Sequence, residues 1–208
     1  APIESRHSPR QAPRVTVESV PGVRLAGTIL MPAGAGPFPA VVMVTGSGPQ
    51  NRNEELLGHK PFLVITDYLA RHGIASLRYD DRGIAGSTGN FAASTSADFA
   101  NDAQAAVAFL RKQPGIAPAH VGIIGHSEGG LIAPIVAARD TNVGFIVLLA
   151  GPGLPGDSIL LLQAELIAKA NGAPQAMIDT SLAVNTRLYS AVKGASDSAD
   201  AVARVNAV

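Results

Sequence analysis

Val121-Gly122-Ile123-Ile124-Gly125-His126-Ser127-Glu128-Gly129-Gly130 is the stretch on which the fold turns. Four strand-forming residues run straight into a G-x-S-x-G turn, and a helical segment follows. Glycine two before and two after Ser127 lets the backbone fold tightly without side-chain clashes. Such a turn lifts the serine hydroxyl out at the carboxyl end of a sheet, where sites of open α/β folds lie. The amides opening the next helix point at the same spot and favour a developing negative charge. The simpler readings are a glycine-rich strand-to-helix turn or a phosphate-binding loop. The phosphate loop is disfavoured, because no lysine follows the glycines and the helix opens on Glu128. Pro134 predicts a kink in that helix.

Working outward, Ala40-Val41-Val42-Met43-Val44, Ile74-Ala75-Ser76-Leu77 and Phe145-Ile146-Val147-Leu148-Leu149 are further continuous apolar runs. Runs of this kind mark strands buried on both faces by flanking helices. Between them, Pro61 suits a first helical position, with Phe62, Ile65 and Leu69 on one face and Gly73 closing the helix. Thr95 and Asp98 read as a capping box, followed at helical spacing by Phe99, Ala103, Val107 and Leu110. Upstream, Val15 to Val20 alternates, Pro21-Gly22 turns, and Val23 to Leu30 returns, predicting a β-hairpin. The fold class is therefore α/β: a hairpin, then β-α-β-α-β-α-β with a mainly parallel sheet and helices on both faces.

Residues 1–13, with three prolines, read as an N-terminal arm, and residues 14–150 as the N-terminal part of the α/β core. Beyond the breaker-rich Gly151-Pro152-Gly153-Leu154-Pro155-Gly156, residues 151–208 read as helical. Asp157 is expected to cap a helix reaching Ala170, with Ile159, Leu162, Leu166 and Ile167 as its apolar stripe. Further helices are expected after Pro174 and Ser196.

The 208 residues are 47% apolar and 15% charged, as a well-cored globular protein requires. Sixteen basic and sixteen acidic residues cancel, and no basic stripe points to nucleic acid. Without cysteine there is no disulfide, thiolate nucleophile or cysteine-based zinc site. Dispersed histidines and the lack of a dinucleotide fingerprint predict neither metal nor cofactor. No apolar run reaches the roughly 18 residues of a membrane span. The start at Ala1 is compatible with a removed signal peptide, hence a secreted or periplasmic protein, and equally with a trimmed end.

Together these motifs resemble the α/β-hydrolases, and more narrowly the bacterial carboxylesterases and serine-aminopeptidase-like hydrolases with a G-H-S-E-G-G elbow. The resemblance covers roughly residues 14–208. It implies that Ser127 is a nucleophile and that the oxyanion hole is made by the amides of Ser47, in Thr45-Gly46-Ser47-Gly48-Pro49, and of Glu128. Asp80-Asp81-Arg82-Gly83-Ile84-Ala85-Gly86-Ser87 resembles the family's D-x-R-G-x-G-x-S turn, with its second glycine displaced by one residue. Arg82 there reads as a loop tie more than a chemical group. Gly46 and Gly48 are open to a plain turn reading. His59, before the first crossover helix, reads as a solvated loop histidine with pocket lining as the alternative. The segment after Gly151 resembles the start of a helical cap.

A hydrolytic serine needs a base and an acid to orient it. In this fold the chain order is serine, then acid, then histidine. All five histidines (7, 59, 72, 120 and 126) precede Ser127, and His126, as its neighbour in sequence, diverges from it. Asp157, Asp179, Asp197 and Asp200 follow Ser127 but lie in helical or linker sequence. The expectation is a cap left incomplete at Val208, with the acid and histidine in a missing C-terminal segment or a second chain. The expected activity is hydrolysis of small or medium acyl or aryl esters, with a small-molecule ester as partner. The alternatives are a peptidase, amidase or thioesterase of the same fold, or a non-catalytic binding protein.

Overall fold

The computed structural model describes residues 13–208; the expected arm falls almost wholly outside them. Two units separate in it, Ala1–Gly151 and Pro152–Val208.

The first unit is a six-stranded sheet in the order β1-β2-β4-β3-β5-β6. β1 (Arg14–Glu18) and β2 (Arg24–Leu30) form the expected hairpin, and β2 lies antiparallel to β4 (Ala75–Tyr79). β3 (Phe38–Val44) is central, parallel to β4 and to β5 (Ile116–His126), and β5 is parallel to β6 (Ile146–Leu149). The alternation of β3 explains its uninterrupted apolar sequence. Ala40, Val42 and Val44 face one core, shared with α2 (Ser96–Leu110) through Ala100, Ala103, Ala106, Val107 and Leu110. α3 (Glu128–Arg139) adds Ile132, Ala133 and Val136 to that layer. Val41 and Met43 face the other way, onto Phe62 of α1 (Pro61–Arg71) and Ile124. Truncating a fully buried phenylalanine such as Phe62 costs about 3–5 kcal/mol, so each layer contributes to holding the central strands.

The helix starts follow the sequence signals. Pro61 opens α1, and Thr95 with Asp98 forms the capping box of α2. Pro134 is accommodated within an unbroken α3, so the element does not end there.

One expectation is corrected at the sheet edge. β6 was expected to be buried on both faces, yet Phe145, Ile146, Val147 and Leu148 are 37–45% exposed. β6 pairs with β5 along one edge and has no strand partner on the other among the described residues. An apolar run reports that a strand belongs in a buried setting; it does not report which chain segment supplies the cover.

The second unit consists of α4 (Gly156–Ala170), α5 (Gln175–Lys193) and α6 (Ser198–Asn206). Asp157 does not cap α4: the cap position is Pro155, and the Asp157 carboxylate accepts from Lys193 Nζ at 2.6 Å. Asp197 caps α6 by accepting from the Asp200 amide at 2.9 Å. Ile178 is buried, whereas Leu160, Leu162, Leu166 and Ile167 of α4 stay 40–60% exposed. No helix among the described residues is long and apolar enough to cross a membrane.

Candidate active site

Ser127 stands between β5 and α3 with φ +49° and ψ −113°, a left-handed conformation that a side-chain-bearing residue rarely adopts. The turn is clamped from both sides: the Ser127 amide donates to Leu149 O at 2.9 Å, and the Gly130 amide donates to Ser127 O at 2.9 Å. The flanking glycines are sterically required. A Cβ on Gly125 would run into the Gly129 carbonyl, and one on Gly129 into the Val44 carbonyl. The elbow is therefore wedged against the end of β3 through Gly129, with Ser127 itself left partly exposed.

The loop after β3 meets the elbow. A Cβ placed on Gly46 would lie 3.1 Å from His126 Nδ1, 3.2 Å from Ser127 Cβ and 3.3 Å from Glu54 Oε1. Gly46 is thus confined by contact with the serine itself, which a free-standing turn would not require. Ser47, next in the chain, is exposed. Glu128 opens α3, where the first amides have no partner within the helix, and its Oε1 accepts from Ser96 Oγ at 2.6 Å.

The same loop is pinned below. Asp81 Oδ1 accepts from Thr45 Oγ1 at 2.7 Å and Oδ2 from the Gln50 amide at 2.9 Å. Burial pushes the Asp81 carboxyl up to about 7, against the two hydrogen bonds that favour its charge, and the charges of Asp102 and Glu128 add to the rise. A cavity of about 10 Å³ remains among Thr45, Asp81, Asp102 and Glu128, close to the least space that holds one water. Asp80 binds Arg52 through both carboxylate oxygens at 3.0 and 2.6 Å. Burial alone would raise Asp80, but the bonds from Arg52 and the Gly86 amide outweigh it and hold the carboxyl below its ordinary value.

Arg82 is buried and doubly bonded to Asp102, at 2.7 Å through Nε and 2.8 Å through Nη2, and it also donates to Asp98 O at 2.9 Å. The Asp102 bonds, foremost, lift its already high pKa further. Its donors are spent tying the loop after β4 to α2. The displaced glycine in this turn has a counterpart in Ala85, which itself takes φ +48°.

His59 is exposed in the turn between β3 and α1, where its backbone exchanges hydrogen bonds with Leu56. His126 Nδ1 lies 2.7 Å from Glu54 Oε1, and that oxygen also accepts from the Gly46 amide at 2.7 Å. Sequence reading missed Glu54. Its only signal is a carboxylate in the polar run Asn51-Arg52-Asn53-Glu54, which no periodicity distinguishes from a solvated loop. Among the described residues, no histidine is hydrogen-bonded to Ser127, and no cluster of side chains could hold a metal ion.

The profile of the X-Pro dipeptidyl-peptidase (S15) family matches residues 21–191. Esterase EstD of Thermotoga maritima is 33% identical over 146 residues, 70% of this chain and 34% of EstD. Among solved structures, the Pyrococcus furiosus esterase Pf2001 superposes with a TM-score of 0.62 at 20% identity, over 81% of this chain and 60% of that one. The α/β-hydrolase GrgF from Penicillium sp. sh18 gives 0.59 at 22%, over 77% and 54%. The chain thus spans about a third of EstD and little more than half of these structures. Matched by profile over most of its length, the chain belongs to the X-Pro dipeptidyl-peptidase (S15) family, and its fold is that of the α/β-hydrolases.

Proposed function

We propose that this chain is the nucleophile-bearing part of a carboxylesterase acting through an acyl-enzyme on Ser127. The observation that carries the reading is the strained Ser127 turn, at φ +49°, wedged between β5, α3 and the loop after β3. The kinship with EstD supports an ester substrate.

In this reading Ser127 Oγ attacks the ester carbonyl carbon while a histidine takes its proton. The carbonyl π electrons move onto oxygen, and the amides of Ser47 and Glu128 donate to that oxyanion. Collapse breaks the carbon–oxygen bond, and the leaving alkoxide departs as an alcohol with the proton from the imidazolium. Water then repeats the sequence on the acyl-enzyme, releasing the carboxylic acid and restoring Ser127. The acid and histidine come from residues outside 1–208. Two observations support this: no described histidine engages Ser127, and the β6 edge presents an unpaired apolar strand of the kind proteins usually cover. The helices after Gly151 serve as part of a cap.

The family profile favours a second reading, a peptidase using the same serine. The elbow serves both, since leaving-group preference resides in the pocket and cap. A panel of p-nitrophenyl esters and aminoacyl-p-nitroanilides on the full-length protein separates them. Ester turnover lost in S127A supports the esterase. Anilide turnover without ester turnover supports the peptidase.

A further inference from the structure

Glu54 is buried (7% exposed), yet it sits in a loop whose neighbours from Glu55 to Lys60 are exposed. Its backbone is in the left-handed region at φ +51°, unfavourable for glutamate, and its amide donates to Asn51 O at 2.8 Å. The turn that carries it is fixed at each step. The Arg52 amide and guanidinium both bind Asp80, the Asn53 amide donates to Asn51 Oδ1 at 2.9 Å, and the Phe62 amide donates to Asn53 O at 3.2 Å. Arg78 also donates to Asn53 Oδ1. A strained residue on so rigid a mount, delivering a carboxylate inward, is a feature in want of a purpose.

That carboxylate places one oxygen where two groups converge. Oε1 accepts from the Gly46 amide and from His126 Nδ1, each at 2.7 Å. Nδ1 facing a carboxylate oxygen carries the proton, which fixes the ring's orientation and leaves Nε2 directed elsewhere. Gly46 immediately precedes Ser47, and His126 immediately precedes Ser127. One atom therefore bridges the oxyanion loop and the nucleophile strand, one residue upstream of each group.

We infer that Glu54 is a positioning residue that anchors the Thr45–Gly46 peptide beside the elbow, fixing the end of the loop from which the next peptide directs the Ser47 amide at the developing oxyanion. This rests on the proposed roles of Ser127 and Ser47. The physical argument is the cost of removal: without Glu54 the part-buried Gly46 N–H loses its acceptor, the Thr45–Gly46 peptide is free to turn, and the Ser47 amide one residue on turns with it. A small rotation suffices, since an oxyanion donor works only within hydrogen-bond distance of the transition-state oxygen. The work is done by the position of an acceptor oxygen. Its charge is secondary, because both donors also bind a neutral carbonyl.

The test compares E54Q, E54D and E54A in the full-length protein, with p-nitrophenyl butyrate turnover normalised to sites titrated by a fluorophosphonate. E54Q keeps an acceptor oxygen in place and is expected to retain kcat within about threefold. E54D keeps the charge but withdraws the oxygen by one methylene, and should lose at least about tenfold in kcat. E54A should lose about 10²–10³-fold, with KM changed less than about threefold, as loss of an oxyanion contact does. E54D at wild-type kcat, or E54Q as impaired as E54A, overturns the inference. Loss of titratable sites with unchanged kcat per site would mark a merely structural role and overturn it too. Should E54A be insoluble, the E54Q and E54D pair decides alone. Failure of S127A to abolish turnover would instead sink the nucleophile reading on which the inference rests.

Discussion

The hydroxyl of Thr45 donates to Asp81 Oδ1 at 2.7 Å, joining the last residue before the Gly46 loop to a carboxylate buried at the end of the neighbouring strand. Asp81 also receives the Gln50 amide, so one side chain spans both ends of the loop. Burial raises its pKa to about 7 from the ordinary 3.8. The folded protein thus holds a proton that the unfolded chain has released. The stabilisation is complete below about pH 4 and is lost as pH rises through about 7, at a slope on the order of 1 kcal/mol per pH unit between them. Urea midpoints across that window should fall with rising pH in the wild type and flatten in D81N. A wild-type midpoint whose pH dependence over this range is the same as that of D81N contradicts the assignment.

Arg82 and Asp102 form a buried, doubly hydrogen-bonded pair, and Ser19 Oγ also donates to Asp102. Removing one partner strands the other's charge, which costs about 3–5 kcal/mol. D102A should lower the denaturation free energy by that amount, whereas D140A, at the more open Arg111–Asp140 pair, should cost about 1 kcal/mol or less. Equal losses in the two variants would show that burial does not set the cost.

A methyl group at Gly129 has no room beside the Val44 carbonyl, whereas one at Gly153 meets nothing within 4 Å. G129A should therefore destabilise by about 3 kcal/mol or more through forced backbone movement, and its folded fraction should react slowly with a fluorophosphonate. G153A should match the wild type in both measurements. A G129A protein with normal stability and labelling would mean that the elbow is not wedged against β3.

Much of this was legible in the sequence, for identifiable reasons. Strand, turn and helix around Ser127 are encoded locally, by an apolar run, two glycines and the helix that follows. The capping box at Thr95 and the proline opening α1 are equally local. What escaped depended on distant partners. Glu54 becomes informative only when the fold brings it to Gly46 and His126, 8 and 72 residues away in the chain. Asp157 carries the composition of a cap but found Lys193 instead, 36 residues on. The apolar sequence of β6 announced burial, and no pattern within it could say that its outer edge would be open among these residues.

The most direct measurement is to treat the full-length protein with a fluorophosphonate and map the adduct by mass spectrometry of its peptides. One adduct per molecule on the peptide containing Ser127, absent in S127A and blocked by prior turnover of a slow ester substrate, is the predicted result. An unlabelled protein, or an adduct on another residue that persists in S127A, would contradict the account.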